Sequence, residues 1–484
     1  MRSGGILMPV TSLPSPWGVG TLGAAAREFV GFLARSGMSV WQVLPVVPTS
    51  YGDSPYQSFS TYAGNPYLID LDDLAEEGLL RHDEYAGLDW GDDPARVDYG
   101  ALWDNRFDVL RHATERFERT HASELAAFCE RERTWLDDYA LFMALKDADG
   151  DVRFWKVVQC LFFRQWELLR SEASTAGVRI MGDLPFYVAL DSADVWSRPE
   201  QFQLNDNLMP DEIAGVPPDG FSAIGQLWGN PLFAWDRMKA DGYEWWCDRI
   251  AAQLRRYDIL RIDHFRGFDS YFAIPASSVT AADGRWRKGP GIELFRVLEE
   301  RLGRCDIVAE DLGYLTDSVR RLLAESGFPG MKVLEFAFDT RDSEAGDETY
   351  LPYAYPANSV AYVGTHDNDT AVGWLQTAPE KDVEVAREYL HLDAAEGEAW
   401  GMMRGIWASA SELAVVQMQD LLELGSEARI NTPSTLGSNW CWRAEPGFAS
   451  DELAERIRHQ MALYHRLPAP LSKAGMQAEK NEVK

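Results

Sequence analysis

The chain has 484 residues, of which 46% are hydrophobic and 25% are charged, so it is long enough and apolar enough to bury a sizeable core. Acidic residues outnumber basic residues by 76 to 46, which gives a formal net charge of −30 at pH 7. This charge makes nucleic acids and anionic membranes poor partners on electrostatic grounds.

Two further features predict a cytoplasmic protein without a metal or a cofactor. The N-terminal segment has too short an apolar stretch for a signal peptide, and no later stretch is long enough to span a bilayer. The five cysteines are odd in number, lie far apart and form no Cys-x-x-Cys pair. Such cysteines are typical of reduced thiols rather than of a disulfide framework or a zinc site.

Eight apolar runs are predicted to be strands, and most of them are separated by stretches with helical periodicity. They begin at Val40, Tyr67, Val178, Asp258, Asp306, Met331, Ser359 and Ala428. Residues 4–13 are also strand-like. An eightfold alternation of strand and helix predicts an α/β protein with a (β/α)8, or TIM, barrel. We expect residues 1–466 to form this single catalytic barrel and residues 467–484 to be a polar tail.

Two long stretches are predicted to be insertions in the barrel. Residues 72–177 are rich in charged and aromatic residues, and their apolar residues recur at helical spacing, which predicts a helical subdomain. Residues 189–257 form the second insertion. Within it, residues 214–232 carry three prolines and four glycines, which favours a mobile, lid-like loop over any regular element. A static connection is an equally good interpretation.

The stretch DILRIDHFRGFD, residues 258–269, places charged residues at the end of an apolar run. Because side chains alternate along a strand, Arg261 and Asp263 are expected on the same face, where the guanidinium can hold the carboxylate ionised. From this stretch alone, an ordinary ion pair at a strand end is an equally good interpretation.

Two further apolar runs also end in acidic residues. The run DIVAEDLG ends in Glu310 and Asp311, and the run SVAYVGTHDND reaches His366 and Asp367. A parallel barrel builds its active site on the rim where its strands end. Three strands that each deliver carboxylates at that end therefore predict an active site.

Carboxyl groups of this kind suit the cleavage of a glycosidic bond, which needs one ionised and one protonated carboxyl group. Asp263, paired with a guanidinium, is expected to stay ionised and act as the nucleophile. Glu310, beside Asp311, is expected to have a raised pKa and act as the acid/base. Asp367 would hold sugar hydroxyls and stabilise the oxocarbenium-like transition state, with His366 donating a hydrogen bond beside it.

The segment SYGDSPYQSFSTYAGN, residues 50–65, is too long for a simple turn. Such a segment above a barrel rim usually contacts a ligand, and Tyr56 is the aromatic residue that we expect to do so. The alternative is a surface turn held by Asp53 and Ser54.

Together these motifs resemble those of the 4-α-glucanotransferases called amylomaltase or disproportionating enzyme, which form glycoside hydrolase family 77 in the α-amylase superfamily. The motifs that carry the resemblance are SLPSPWGVG, SYGDSPYQSFSTYAGNPYLIDL, GDLPFYVALDSADVW, RIDHFRGF, AEDLG, GTHDND and NTPSTLGSNWCWR. They cover essentially all of the chain except its tail.

The resemblance implies a (β/α)8 barrel with inserted, mainly helical subdomains and no C-terminal β-domain. It implies the nucleophile at Asp263, the acid/base at Glu310 and the transition-state stabiliser at Asp367. Its implied binding residues, together with our further candidates from the sequence, are Ser54, Tyr56, Asp191, Trp228, Asn230, Arg261, His264 and His366. Trp228 and Asn230 belong to an acceptor-side loop at residues 215–230. The sequence departs from the family pattern at Pro9, where many members have His, and at Cys441, where NWRWR would have Arg.

The implied reaction is a retaining transfer. Asp263 takes a glucanosyl unit from an α-1,4-glucan, and Glu310 protonates the departing sugar and then deprotonates the 4-hydroxyl of the acceptor. The implied partners are maltooligosaccharides, amylose or glycogen-type glucans, with glucose as an acceptor. Two alternatives stay open: an α-amylase-type hydrolase with the same three carboxyl groups, and a catalytically silent glucan-binding protein. The oligomeric state is also open.

Overall fold

The computed structural model of the protein describes residues 2–147, 149–218, 224–313, 315–340 and 348–468. The strands in these ranges are β1 (Ser3–Leu7), β2 (Val40–Gln42), β3 (Arg179–Leu184), β4 (Glu212–Val216), β5 (Gln226–Pro231), β6 (Ile259–Ile262), β7 (Ser270–Pro275), β8 (Arg285–Lys288), β9 (Ile307–Ala309), β10 (Gly330–Val333), β11 (Ser359–Tyr362) and β12 (Leu413–Gln417). The α-helices in the same ranges are α1 (Ala24–Ser36), α2 (Leu71–Glu76), α3 (Tyr99–Thr120), α4 (Ala122–Arg131), α5 (Leu136–Lys146), α6 (Val152–Thr175), α7 (Ala193–Ser197), α8 (Trp235–Ala240), α9 (Glu244–Arg256), α10 (Ile292–Leu302), α11 (Asp317–Ser326), α12 (Ala371–Thr377), α13 (Glu380–Leu390), α14 (Glu398–Ala408), α15 (Met418–Leu421) and α16 (Asp451–Leu463).

In this part of the chain, eight parallel strands close into a barrel in the order β1-β12-β11-β10-β9-β6-β3-β2. The ring is completed by β1, which pairs with β12 on one side and with β2 on the other. The predicted (β/α)8 barrel is therefore confirmed. After β12, the chain up to residue 468 forms α15, α16 and connecting segments without a further strand. The C-terminal ends of the barrel strands share one rim, where barrels of this type hold their active sites.

Side chains that alternate along the strands form two apolar layers. The cluster inside the ring includes Leu7, Val40, Met181, Ile259, Met331 and Val415. The cluster between the strands and the surrounding helices includes Ile6, Trp41, Ile180, Leu260, Ala361 and Val416. Neighbouring residues on one strand thus belong to different layers, which is the period of two that a strand imposes. This packing holds the rim in place.

Two of the predicted strands are wrong. Tyr67 lies in a 3-10 turn, Pro66–Leu68, in which the Asn65 side chain accepts a hydrogen bond from the Tyr67 N–H. The buried Arg106 guanidinium donates a hydrogen bond to the Tyr67 carbonyl oxygen at 2.8 Å. The backbone of this segment is therefore hydrogen-bonded to side chains instead of to a neighbouring strand. Ala428 lies at the end of a second 3-10 turn, Ser426–Ala428.

The barrel uses β1 and β12 in place of these two segments. The strand-like pattern at residues 4–13, which we left out of the count of eight, overlaps β1. The sequence LAVVQ of β12 is buried along its whole length. A short apolar run of this kind follows α14 closely and cannot be told from a buried helix by its periodicity, which explains why it was missed.

The two predicted insertions have different outcomes. Residues 72–177 are mainly helical as predicted, because α2 to α6 lie between β2 and β3. Residues 214–232 are not only a loop, since β4 and β5 pair antiparallel and join β7 and β8 in a four-stranded sheet of order β5-β4-β7-β8. Residues 219–223 of this segment and residues 469–484 of the predicted tail lie outside the described residues. The division of the chain into a barrel and inserted subdomains stays a prediction.

The glycines of this segment explain the wrong prediction. A Cβ atom on Gly215 would lie 2.1 Å from the backbone oxygen of Gln226 on the paired strand. The glycine therefore allows two strands to approach closely beside an irregular register between Ile213 and Gly215, a role that sequence alone does not distinguish from a loop.

Candidate active site

The predicted catalytic residues come from three strand ends on the same rim of the barrel. Asp263 follows β6, Glu310 follows β9, and Asp367 comes a few residues after β11. These strands lie in one half of the ring, with only β10 between β9 and β11. Tyr56 lies in the segment between β2 and α2. Its side chain reaches the same rim, where it contacts His366.

A buried carboxylate that the sequence analysis did not single out lies beneath this rim. Asp183 on β3 is directly opposite Arg261 on β6 in the parallel register. Both Asp183 oxygens lie 2.7 Å from Nη1 of Arg261, and the two side chains are 0% and 3% exposed. The signal for Asp183 was present in the run VRIMGDLPFYV, where one acid interrupts an otherwise apolar strand.

Arg261 also contacts Asp263, with 3.1 Å between Nη2 and Oδ1. One guanidinium is therefore paired with two carboxylates. We expected this cation to hold Asp263 ionised. Instead, burial raises the pKa of Asp263, and Asp183 and Asp367 add to the rise, while Arg261 offsets only part of it. The expected effect of Arg261 is present but is outweighed, because burial has the largest influence on the pKa of this carboxyl group.

Glu310 is fixed by the backbone on both sides. Its Oε2 accepts a hydrogen bond from the His264 N–H at 2.6 Å, and its Oε1 accepts one from the Leu312 N–H at 2.8 Å. Burial raises the pKa of Glu310, and the neighbouring charge of Asp263 raises it further. The raised pKa agrees with our expectation.

The predicted cause of that rise was wrong. The carboxylate of Asp311 accepts a hydrogen bond from the Met331 N–H at 2.7 Å, toward β10. Consecutive residues at a strand end face opposite sides, so Asp311 does not act on Glu310. The carboxyl group that does so is Asp263, from a different strand.

A further group of contacts surrounds His366. The Tyr56 hydroxyl donates to Asp183 at 2.7 Å and lies 2.9 Å from Nε2 of His366. The two rings are stacked, with 5.3 Å between centroids and 13° between planes. The same Nε2 lies 3.5 Å from the Asp367 carboxylate. Burial lowers the pKa of His366, so the imidazole is neutral at pH 7.

Asp367 is held by residues 429–431, which we predicted as part of a strand and of a family motif but not as part of the site. The side-chain amide of Asn431 donates to Oδ1 of Asp367 at 2.6 Å, and the Arg429 guanidinium donates to its carbonyl oxygen at 2.7 Å. Trp440 from the same segment lies 6.1 Å from the His366 ring. These residues complete the wall of the site beside Asp367.

Trp228, on β5, meets His264 edge to face with 4.9 Å between ring centroids. Gln57 donates to the Trp228 carbonyl and to the Asn230 side chain, both at 3.3 Å. Asn230 is buried and donates to the Val188 carbonyl at 2.8 Å. These bonds join the 50–65 segment to β5, and so bring Trp228 and Tyr56 to one site.

Ser54 and Asp191 are less closely joined to this cluster. The Ser54 hydroxyl accepts a hydrogen bond from the Tyr56 N–H at 3.2 Å, as expected for the turn that we gave as the alternative. Asp191 is 66% exposed and pairs with Lys146 of α5 at 2.7 Å. Across the described residues, no hydrogen bond to a carboxyl group of the site is recorded for either one, so their roles toward substrate stay predictions.

Within the described residues, no three His, Cys, Asp or Glu side chains are arranged to hold a metal ion. None of the helices in that part of the chain combines the length and apolarity needed to cross a membrane.

The sequence resembles known proteins along almost its whole length. It is 45% identical to a 4-alpha-glucanotransferase of Clostridium butyricum, over 95% of this chain and 100% of that protein. It is also 45% identical to a 4-alpha-glucanotransferase of Thermus thermophilus, over 96% of this chain and 99% of that protein.

The fold agrees with these relatives. An amylomaltase from Streptococcus agalactiae, solved in complex with acarbose, superposes with a TM-score of 0.93 at 39% identity, over 97% of this chain and all of that chain. The sequence model of one family, described as 4-alpha-glucanotransferase, matches residues 8–155 and 146–447. The chain therefore belongs to the 4-alpha-glucanotransferases of glycoside hydrolase family 77.

Proposed function

We propose that this 4-alpha-glucanotransferase moves α-1,4-glucan segments from a donor maltooligosaccharide to the 4-hydroxyl of an acceptor glucan or glucose, by a retaining double displacement. The observation that carries the mechanism is the meeting of Asp263 and Glu310 at one rim, where Glu310 accepts a hydrogen bond from the N–H of His264, the residue after Asp263, and where burial and the charge of Asp263 raise the pKa of Glu310. A retaining reaction needs such a pair, one member ionised and the other protonated.

In the first step, Asp263 attacks the anomeric carbon and Glu310 transfers its proton to the departing glycosidic oxygen. Asp263 is then an ester and carries no charge. Because that charge helped to raise the pKa of Glu310, its loss lowers the pKa and makes Glu310 a ready base. Glu310 then takes the proton of the acceptor 4-hydroxyl as the acceptor oxygen attacks the anomeric carbon, and the bond between that carbon and Asp263 breaks to restore the carboxylate.

Asp367 and His366 are proposed to bind the sugar whose bond is broken. Asn431 holds one oxygen of Asp367, which leaves the other available for a sugar hydroxyl. Trp228, Arg261, His264, Tyr56 and Asn230 are proposed to shape the surrounding subsites, with Ser54 and Asp191 at their edge. The expected substrates are maltooligosaccharides and amylose or glycogen-type glucans, supported by the acarbose complex of the related amylomaltase.

Incubation with maltotriose separates transfer from hydrolysis. Transfer of a maltosyl unit yields maltopentaose and glucose in equal amounts, whereas hydrolysis yields maltose and glucose without longer products. We expect maltopentaose and longer oligosaccharides, measured by anion-exchange chromatography over the first tenth of conversion. Maltose and glucose alone would establish the α-amylase-type hydrolase, and an unchanged substrate would establish the silent glucan-binding protein.

A cytoplasmic location remains part of this proposal. It is supported by the cysteines, all five of which are free thiols in the structure.

A further inference from the structure

We infer that Glu335 and Asp420 share one proton as a hydrogen-bonded carboxyl pair, and that this pair positions residues 364–370, the segment that carries His366 and Asp367. The inference rests on the proposed function, because the position of Asp367 matters to the reaction only if that residue stabilises the transition state. Glu335 and Asp420 are positioning residues, since they act on the reaction through this segment and not through the substrate.

The strand order of the barrel places the two acids on opposite sides of the 364–370 segment. Glu335 lies in the 3-10 turn Leu334–Ala337, which follows β10, and Asp420 lies in α15, which follows β12. The segment itself begins just after β11, which is the strand between β10 and β12 in the ring. It therefore leaves the barrel rim between the two acids.

Each acid contacts one end of the segment. At its start, the Glu335 N–H donates a hydrogen bond to the Val363 carbonyl at 3.2 Å. The Glu335 side chain packs so closely there that a Cβ atom on Gly364 would lie 2.9 Å from its Oε1. At the other end, Oδ1 of Asp420 accepts a hydrogen bond from the N–H of Ala371, the residue that follows the segment, at 2.7 Å.

The remaining oxygens of the two acids need a proton between them. Both side chains are buried, and within the described residues neither Oε1 of Glu335 nor Oδ2 of Asp420 has a hydrogen-bond partner. Ionised carboxylates only accept hydrogen bonds, so the two oxygens could not pair with each other in that form. A proton on one of them supplies the missing donor and removes the cost of two unpaired buried oxygens.

The charges around the pair place this proton on Glu335. Burial raises the pKa of Glu335 well above its usual range, and the charge of Asp420 raises it more than any other charge does. Asp369 and Asp339 add to the rise, and Arg429 offsets part of it. Burial raises the pKa of Asp420 only to about 7. Asp420 therefore ionises first, and Glu335 keeps the proton that it donates to Asp420.

The segment between the two acids is closed on itself and moves with its ends. The Asn368 side chain accepts a hydrogen bond from the Thr365 N–H at 3.0 Å, and the Thr365 hydroxyl accepts one from the Asp367 N–H at 3.3 Å. A shift at either end is therefore passed to the Asp367 carboxylate. Displacements of about 1 Å are enough to slow catalysis by a misplaced group.

A merely structural pair at this place would have a different signature. Its loss would lower the free energy of unfolding, but the folded protein would keep its kcat. Loss of positioning lowers kcat with little change in KM, because Asp367 is proposed to act in the transition state while the other subsites still bind the substrate.

The test compares two replacements of Glu335 in the full chain. Glu335→Gln keeps the shape of the side chain and a donor for the Asp420 carboxylate, whereas Glu335→Met keeps the length without a donor. For maltotriose disproportionation, we expect Glu335→Gln to keep kcat within about threefold of wild type. We expect Glu335→Met to lower kcat about tenfold or more, with KM within about twofold of wild type. Wild-type kcat in a folded Glu335→Met protein, or equal losses in both variants, would overturn the inference.

Glu132→Met is the matched control. Glu132 is also buried, lies between α4 and α5, and accepts a hydrogen bond from Nε1 of Trp135 at 2.9 Å. This variant makes the same change at a buried glutamate outside the proposed site, so we expect a lower melting temperature with wild-type kcat and KM. A loss of kcat in Glu132→Met as large as that in Glu335→Met would count against a specific role for Glu335.

Infrared spectroscopy keeps the experiment decisive if Glu335→Met does not fold. We expect the difference spectrum between wild type and Glu335→Gln at pH 7 to contain the C=O band of a protonated carboxyl group. A difference spectrum with carboxylate bands alone would overturn the shared proton. An inactive wild-type protein that shows the carboxyl band would instead refute the proposed function, and the positioning role with it, while the carboxyl pair itself would stand.

Discussion

At the scale of single residues, two neighbours in the sequence have opposite surroundings. Glu310 and Asp311 both follow β9, yet Glu310 accepts hydrogen bonds from His264 and Leu312, whereas Asp311 accepts one from Met331. Burial raises the pKa of both, to about 6 for Asp311. A raised pKa is therefore not sufficient to identify an acid catalyst, and the side of the strand on which the carboxyl group lies decides the assignment.

This contrast gives a prediction for Glu310. We expect Glu310→Gln to lower kcat for maltotriose disproportionation by about 100-fold or more, because the amide can neither protonate the departing oxygen nor accept the acceptor proton. With α-maltosyl fluoride as the substrate, we expect the initial rate of fluoride release to fall much less, because fluoride leaves without a proton. Stopped-assay chromatography and a fluoride electrode measure the two quantities.

The adjacent residue supplies the control for that prediction. Asp311→Asn removes a neighbouring buried carboxyl group of the same strand end, and we expect kcat to stay within a few-fold of wild type. A fully active Glu310→Gln, or an Asp311→Asn protein equally impaired, would refute the assignment of the acid.

At the scale of elements, the sheet of β5-β4-β7-β8 decides where Trp228 lies. Its strands β4 and β5 precede β6 in the chain whereas β7 and β8 follow it, so the sheet joins segments from both sides of a barrel strand. Gln57 then links β5 to the segment that carries Tyr56. The proposed acceptor side of the site thus depends on the close pairing of two short strands.

Gly215 makes this dependence testable. A methyl group there would meet the Gln226 backbone oxygen at 2.1 Å, and a backbone atom cannot move aside cheaply. We expect Gly215→Ala to separate β4 from β5, to cost about 1–3 kcal/mol of stability, and to raise KM for the acceptor sugar more than KM for the donor. Steady-state kinetics with varied glucose and a thermal melt measure these effects.

Gly87→Ala is the control for that experiment. A Cβ atom at Gly87 meets nothing within 4 Å, so stability and both KM values should match wild type. An equal rise of KM for the donor and KM for the acceptor in Gly215→Ala would argue against the acceptor-side assignment of β5.

At the scale of the whole molecule, Asp194 and Asp420 are buried carboxyl groups whose pKa values are raised by burial more than neighbouring groups lower them. Burial raises the pKa of Asp194 to about 6 and that of Asp420 to about 7, whereas an unfolded Asp titrates near about 4. Between these values the folded protein binds more protons than the unfolded chain. The stability that these groups contribute is therefore fully present below about pH 4 and is lost as the pH rises toward 7.

Urea unfolding across this range tests the prediction. We expect the free energy of unfolding to fall between pH 5 and pH 7.5, and Asp420→Asn to flatten that dependence. Asp317→Asn changes a carboxyl group that is 87% exposed and should keep the wild-type dependence. The prediction fails if Asp420→Asn retains the full slope of the wild-type protein.

The sequence by itself was sufficient to predict the barrel fold and to locate the three carboxyl groups at the ends of apolar runs. Apolar runs that end in Asp263, Glu310 and Asp367 are local patterns, and parallel strands necessarily present their C-terminal ends on one rim. The aromatic segment with Tyr56 was recognisable for the same reason, since its length and composition are local properties. These parts of the prediction needed no knowledge of which strands are neighbours.

The tertiary structure alone decided which groups act on one another. The pairing of Asp183 with Arg261 depends on the register between β3 and β6, and the closing strand β12 is defined by its partners β1 and β11. Burial, not the charge of Arg261, governs the pKa of Asp263. Register and desolvation arise from residues far apart in the chain, so no local pattern can encode them.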